Sequence, residues 1–158
     1  MRKTTLCYIS RIQGSGEKEY LMLRRTAKKN DGSVGKWMGV GGKIENDETP
    51  DSCILREVKE ETGLEIKNYN LRGIVYYYSD IWEDEIMYLY SADAFTGELI
   101  DYCDEGELQW IAENKLMELN MWEGDIHFLK PLLANEDNIR LKLRYEGDKL
   151  VSWENISD

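Results

Sequence analysis

Residues 42–64 read GKIENDETPDSCILREVKEETGL, and the second half of this stretch carries the signals for both ends of a helix. Thr49 can cap the N-terminus, and Pro50 suits the first helical position because the amide hydrogen it lacks would be unbonded there. Gly63 suits the left-handed conformation that commonly ends a helix. The sequence therefore predicts one helix between Thr49 and Gly63.

Three glutamates share one face of this predicted helix. Glu57, Glu60 and Glu61 stand at positions i, i+3 and i+4, so their carboxylates project together. Like charges this close repel one another, and a solvated acidic face gains nothing from them. A divalent cation relieves the repulsion, and oxygen ligands suit Mg²⁺, with Mn²⁺ as a substitute. The neighbouring stripe is apolar and is predicted to bury against a sheet; it comprises Ile54, Leu55 and Val58.

Length and composition narrow the class of protein. A chain of 158 residues is expected to form a single domain over residues 1–158. Its net charge of −11 argues against nucleic-acid polymers and anionic membranes as partners. The three cysteines are odd in number and lack paired spacing, so neither disulfides nor zinc are expected. No apolar run follows the N-terminus that would form a signal peptide or membrane span, so we expect a cytoplasmic protein.

The elements flanking the helix predict a mixed sheet between helices, an α/β fold of the α+β type, and this pattern alone leaves several folds open. Upstream of the helix we expect strands at 4–12 and 19–25, a turn at 14–16, a polar loop at 26–36 and a short strand at 37–40. Downstream we expect a hairpin of 71–79 and 85–95, a strand at 107–111, helices at 112–119 and 123–134, and a terminal hairpin of 138–145 and 149–154.

The arrangement of Gly42, Glu48 and the run Arg-Glu-Val-Lys-Glu-Glu-Thr-Gly-Leu at 56–64 resembles the Nudix box, the signature of the Nudix hydrolases. All nine specified positions of that signature match. The resemblance implies the family's α/β/α sandwich with its mixed sheet and box loop–helix. It also implies metal-dependent cleavage of a phosphoanhydride in a nucleoside diphosphate linked to another group.

The resemblance also implies roles for the box residues. By motif position, Glu57, Glu60 and Glu61 are the metal ligands, and the carbonyl of Gly41 completes the shell. One of these carboxylates can double as the general base, and which one stays open. Arg56 is expected on a different face from the ligands, where it holds the loop through a charge-assisted pair; direct contact with substrate is its second possible role. The structural positions of the box are Gly42, Glu48 and Gly63.

Further acidic and basic residues outside the box are candidates for the site. MutT-like members often supply another metal ligand from the region matching Asp104–Trp110, where Glu105 is the first candidate and Glu107 the second; an acidic surface loop is the alternative. Arg24 and Arg25 end the second strand, and contact with substrate phosphate and an ordinary solvated edge are both open for them.

The segment at residues 121–125, Met-Trp-Glu-Gly-Asp, resembles the base-reading segment of MutT-like hydrolases that act on oxidised purine nucleoside triphosphates, including bacterial 8-oxo-dGTP hydrolases and their human counterpart. Trp122 offers a stacking surface, and Asp125 can bond a purine edge. A core Trp beside a helix-capping Asp is the alternative. Met38 stands where the human enzyme has a base-contacting Asn, and a thioether cannot donate a hydrogen bond to a base carbonyl.

The resulting hypothesis is a Mg²⁺-dependent nucleoside triphosphate pyrophosphohydrolase acting on 8-oxo-dGTP or related oxidised purine nucleotides. Its substrate would be a small molecule, and both a monomer and a homodimer remain open. A Nudix hydrolase of another nucleoside polyphosphate, such as a diadenosine polyphosphate or a pyrimidine triphosphate, is the second hypothesis. A Nudix-fold sensor that binds a nucleotide without cleaving it is the third.

Overall fold

A computed structural model describes residues 1–26, 33–101 and 103–156. Its strands are β1 (Arg2–Ile12), β2 (Lys18–Arg25), β3 (Trp37–Met38), β4 (Glu65–Ser79), β5 (Glu85–Thr96), β6 (Gly106–Ala112), β7 (Ile139–Glu146) and β8 (Lys149–Asn155). Its helices are α1 (Pro50–Thr62), a 3₁₀ helix (Glu113–Glu118) and α2 (Ile126–Leu133). None of the helices in this described part is long and apolar enough to span a membrane.

The strands form one mixed sheet in the order β3-β2-β1-β5-β4-β7-β8, and β6 pairs with β2 in addition. The β1–β5 and β4–β7 pairs are parallel, and the other pairs are antiparallel. Strands β1 and β5 therefore lie at the centre, and the segment between β3 and α1 runs along the first half of β1 through bridges at Thr4–Lys43 and Cys7–Val40.

Each face of the sheet carries its own core, because successive side chains of a strand point to opposite faces. On β1, Leu6 and Tyr8 join the core under α2, whereas Cys7 and Ile9 join the core under α1. The α2 core includes Phe128, Leu129 and Leu132, and the α1 core includes Ile54 and Val58. The expected α/β/α sandwich with a mixed sheet is confirmed.

The ends of α1 form as predicted from local signals. The Thr49 hydroxyl accepts a hydrogen bond from the Ser52 amide at 3.1 Å, and the Ser52 hydroxyl accepts one from the Thr49 amide at 3.0 Å. This reciprocal capping box had not been foreseen at Ser52. Gly63 takes a left-handed φ of 82°, and its amide donates to the Lys59 carbonyl. The predicted burial of Leu55 is wrong: it is exposed, and Cys53 is buried instead. Leu55 lies beyond the stripe that runs through Ile54 and Val58.

Other boundaries differ from the expectation where local signals are weak. β4 begins at Glu65 rather than at residue 71, and a register shift between Leu71 and Gly73 lets it bend. The expected helix at 112–119 is a 3₁₀ helix, and α2 begins at Ile126 rather than at residue 123. The predicted short strand at 37–40 is confined to two residues, followed by a bridge at Val40. Most of the predicted polar loop, residues 27–32, lies outside the described residues.

Candidate active site

The loop between β3 and α1, called the box loop, lies close against the sheet at Gly41 and close against the Glu57 side chain at Gly42. A Cβ on Gly41 would lie 2.0 Å from the Thr5 carbonyl oxygen, and a Cβ on Gly42 would lie 2.5 Å from the carboxyl carbon of Glu57. The Gly42 carbonyl accepts a hydrogen bond from the Thr5 amide at 2.8 Å. The two glycines therefore bring the loop backbone against β1 and leave the space that the Glu57 carboxylate fills.

The three glutamates of α1 differ sharply in exposure. The side chain of Glu60 is 57% exposed and that of Glu57 16% exposed, whereas Glu61 is 8% exposed. Within the described residues, the Glu61 Oε1 atom is buried and has no hydrogen-bond partner. Burial, and next the charges of Glu57 and Glu105, raise the pKa of Glu61 to about 8. These carboxyl groups repel one another as the sequence predicts.

Arg56 forms ion pairs with acidic residues of the box. Its Nε and Nη2 bind the two oxygens of Glu48 at 2.6 and 2.9 Å, which is the expected pair, and this lowers the pKa of Glu48 to about 2. The expectation that Arg56 points away from the ligands is wrong. Its Nη1 also binds Glu57 at 3.0 Å and Glu60 at 3.1 Å. The long arginine side chain can reach both the next residue in the chain and the residue one helical turn later.

The arrangement suits a divalent cation, although no three acidic, thiol or imidazole side chains among the described residues already stand as a metal site. Glu57 and Glu60 are bound to Arg56, and the buried Glu61 oxygen lacks any partner. An oxygen-preferring cation would supply that partner and oppose the clustered charge. The residues therefore fit a divalent metal, and the assignment of Glu57, Glu60, Glu61 and the Gly41 carbonyl as its ligands stays a prediction.

The two arginines at the end of β2 have separate environments. Arg24 is exposed and pairs with the exposed Glu107 at 2.8 Å, so this pair stands on a solvated edge of the sheet. Arg25 is more buried, and its Nη2 lies 3.1 Å from Glu105. Arg25 lines the same cavity as Gly41 and Gly42, so Glu105 lies beside that cavity. The structure thus brings Arg25 and Glu105 to the site and leaves Arg24 and Glu107 outside it.

A cavity of about 310 Å³ lies beside the box loop. Gly41, Gly42 and Arg25 line it together with Trp122 and Asp125. Met38 lies on the wall, where its sulfur is 4.0 Å from Nη1 of Arg25. Two glycines of the box loop therefore share one cavity with the segment at 121–125, whereas Glu57, Glu60 and Glu61 are not among the residues that line it.

Trp122 stands on the cavity wall and is held there by packing. Its ring lies edge-on to those of Trp82 and Tyr145, at centroid distances of 5.6 and 5.4 Å. Its indole Nε1 donates to the Ser33 hydroxyl at 3.2 Å, and the Lys36 ammonium lies 4.8 Å from the ring centroid. Trp122 is thus both part of the packing and part of the cavity surface.

Asp125 is buried and lines the same cavity as Trp122. It stands before α2, but its side chain makes no capping hydrogen bond, so the helix-capping alternative does not describe it. Burial, and next the charge of Glu85, raise the pKa of Asp125 to about 8. At neutral pH its carboxyl group is therefore protonated and can donate as well as accept a hydrogen bond.

Comparison with known proteins agrees with this geometry. The family model of the NUDIX domain matches residues 2–132. The chain belongs to the Nudix family. It is 35% identical over 124 residues to the uncharacterized Nudix hydrolase YvcI of Bacillus subtilis, covering 75% of this chain and 78% of that protein. It is 30% identical over 126 residues to the oxidized purine nucleoside triphosphate hydrolase of Danio rerio, covering 78% and 79% of the two chains.

A solved structure supports the same family and fold. The crystal structure of the MutT protein of Bacillus halodurans matches with a TM-score of 0.85 and 26% identity, over 100% of this chain and 99% of that one. This protein is accordingly a Nudix hydrolase, an enzyme that acts on phosphoanhydride bonds of nucleotides. Such hydrolases act on small nucleotide substrates and use a divalent metal.

Sequence reasoning missed several residues of this Nudix cavity. Trp82, in the loop after β4, gave no signal at all, because nothing local shows that it meets Trp122. Glu85 was overlooked although strand alternation places it on the same face as the buried Met87. Tyr77 was one of several tyrosines that strand propensity favours, and only the sheet shows that it lines the cavity.

Proposed function

We propose that this Nudix hydrolase is a Mg²⁺-dependent nucleoside triphosphate pyrophosphohydrolase that acts on 8-oxo-dGTP or related oxidised purine nucleoside triphosphates. The products would be the nucleoside monophosphate and pyrophosphate. The observation that carries the proposal is one cavity that Gly41 and Gly42 line together with Trp122 and Asp125. The name of the Danio rerio relative, at 30% identity, supports the same substrate class.

At the phosphate end, the acidic box residues and the Gly41 carbonyl would hold the metal, with Glu105 as a further ligand. A bound divalent cation supplies charge neutralisation at the phosphate oxygens and orients the reacting groups. Arg25 lines the cavity and brings a guanidinium that can bind a phosphate oxygen. Arg56 fixes the loop through Glu48, and a box carboxylate that gives up its bond to Arg56 can accept a proton from water.

At the base end, Trp122 would stack on the purine, and Asp125 would bond its edge. The ring of Trp122 is fixed by its neighbours, so little side-chain freedom is lost on stacking. A protonated Asp125 can donate to a ring nitrogen or carbonyl and accept from an N–H group. Both residues act on binding and orientation, and neither touches the reacting phosphorus.

A second candidate function is suggested by Met38. This side chain lines the cavity and cannot donate a hydrogen bond to a base carbonyl. A pyrimidine triphosphate or a diadenosine polyphosphate, which would need other contacts at this position, is therefore the alternative substrate.

The test is a panel of nucleotides incubated with purified protein and Mg²⁺, including 8-oxo-dGTP, dGTP, dATP, dCTP and diadenosine tetraphosphate. We expect the highest kcat/KM for an oxidised purine triphosphate, with release of pyrophosphate rather than inorganic phosphate. A higher value for a pyrimidine or dinucleoside substrate would favour the second candidate. Tight nucleotide binding without turnover would instead indicate a sensor, and full turnover in excess chelator would contradict the metal requirement.

A further inference from the structure

Glu85 is an acidic residue in the cavity that the functions assigned above leave unexplained. It begins β5, between Arg2 of β1 and Tyr77 of β4 in the sheet register. It points to the α2 face, as the buried Met87 does, and it lines the same cavity as Asp125. An acidic side chain on a face that is otherwise a hydrophobic core is costly unless it has a partner.

The structure gives Glu85 one fixed partner and leaves one oxygen available. The hydroxyl of the buried Thr4 donates to Glu85 Oε2 at 2.7 Å. Among the described residues, no hydrogen bond engages Oε1. The carboxylate is therefore oriented by Thr4 and presents a hydrogen-bond acceptor to the cavity.

The surrounding groups favour a ligand that brings N–H donors. Two of the neighbouring donors are already used, since the Thr4 hydroxyl binds Glu85 and the Trp122 indole binds Ser33. Asp125 lines the same cavity as Glu85, so the carboxyl oxygens of two acids are present there. Such oxygens accept hydrogen bonds from the N–H groups of a ligand.

We propose that Glu85 is a specificity-determining residue that accepts a hydrogen bond from the exocyclic amino group of a guanine-type base. This inference rests on the proposed function, because it assumes that the base occupies the Trp122–Asp125 end. Guanine carries an N1–H and a 2-amino group on one edge, which matches neighbouring acceptors. Hypoxanthine is the same base without the amino group, so dGMP and dIMP differ only in the contact assigned to Glu85.

The experiment measures dissociation constants of dGMP and dIMP by calorimetry in excess chelator, which needs no catalysis. For the native protein we expect dGMP to bind about 10- to 100-fold more tightly, because without the amino group an acceptor that the bound base covers is left unpaired. Glu85→Ala should reduce this ratio to near one. Thr4→Val, which frees Glu85 without removing it, should give an intermediate ratio. Asp93→Ala removes an exposed acid of the same strand outside the cavity and should keep the native ratio.

The outcomes separate this inference from the proposed function. An unchanged dGMP preference in folded Glu85→Ala, or no preference in the native protein, overturns the role of Glu85 while leaving pyrophosphate release from purine triphosphates intact. If the native protein hydrolyses no purine triphosphate, the proposed function and the role of Glu85 both fail. Were Glu85→Ala not to fold, the native ratio and the Thr4→Val ratio would still decide the matter.

Discussion

Arg56 supplies the positive charge that balances the carboxylates of the box. It binds Glu48, Glu57 and Glu60 at once, while the more deeply placed Glu61 stays out of its reach. Binding a cation at this face would therefore involve a change of partners: the carboxylates exchange part of their interaction with Arg56 for the metal. The three glutamates should accordingly respond differently to substitution, although the motif treats them alike.

The first prediction concerns the charge of these glutamates. We expect Glu57→Gln, Glu60→Gln and Glu61→Gln each to lower kcat by on the order of 10²- to 10⁴-fold, through loss of a metal ligand or base. In chelator above pH 8, Glu61→Gln should raise thermal stability, since the amide carries no charge to be repelled by Glu57 and Glu105. Glu60→Gln should change stability little, because its pair with Arg56 is exposed. Near-normal rates in all three variants at saturating metal would contradict the ligand assignment.

The second prediction separates the two roles of Trp122. We expect Trp122→Ala to raise KM for the preferred triphosphate about tenfold or more, since stacking contributes roughly 1–3 kcal/mol per base. It should also lower stability, by less than the roughly 3–5 kcal/mol of a fully buried Trp, because the ring is only partly buried. KM and thermal unfolding would be measured on the same preparation.

The matched control for Trp122 is Trp153→Ala. Trp153 is exposed, stacks on His127 and lies outside the cavity, so its loss should leave KM unchanged. If Trp122→Ala is strongly destabilised and yet keeps the native KM, the base binds elsewhere.

At the level of single elements, the sequence predicts the ends of α1 but not every element boundary or the neighbours of the box loop. The caps of α1 are local, so Thr49 and Gly63 could be read directly from the chain. The start of β4 and the 3₁₀ geometry at Glu113–Glu118 could not, since they depend on packing against the sheet. Similarly, the sequence shows that Gly41 and Gly42 are adjacent, but only the structure shows that they face different neighbours.

The third prediction uses this difference between the two glycines. Gly41→Ala would drive a Cβ against the Thr5 carbonyl, which is backbone and cannot yield cheaply, so we expect a clearly lowered melting temperature. Gly42→Ala would meet only the mobile end of Glu57. We expect that variant to keep most of its stability but to lose kcat, because the carboxylate is displaced. Thermal unfolding and steady-state kinetics on both variants check this. Equal loss of stability in the two would contradict it.

For the whole molecule, the sandwich brings together groups that are remote in the chain. Thr4 meets Glu85, and Trp122 meets Ser33, across 81 and 89 positions of sequence. The motif predicted the fold and the acidic end of the site, because the motif is contiguous. The base end depends on how α2 docks on the sheet, so only the Trp122–Asp125 segment, through its resemblance, was predicted there, whereas Glu85 was not.

The last prediction concerns how stability depends on pH. In the folded protein burial raises the pKa of Asp125 to about 8, whereas an unfolded Asp titrates near roughly 3.9. Between these values the folded state holds a proton that the unfolded state has lost, so stability falls as pH rises, by at most about 1.4 kcal/mol per pH unit for this group. Glu61, whose pKa is also raised to about 8, adds to the same trend in chelator.

Asp125→Asn removes one of these two contributions, so we expect its stability to fall less than that of the native protein between pH 5 and pH 8. Across this window the free energy of unfolding of the variant should rise steadily relative to that of the native protein. Above pH 8 this difference should become constant, because Asp125 of the native protein is then ionised in both the folded and the unfolded state. Urea unfolding at pH 5, 6.5, 8 and 9 measures it. Asp93 is an exposed acid on β5, so the stability of Asp93→Asn should depend on pH in the same way as that of the native protein. Parallel curves for Asp125→Asn would mean that this carboxyl is ionised in the folded cavity, and the donor role proposed for it toward the purine base would then be wrong.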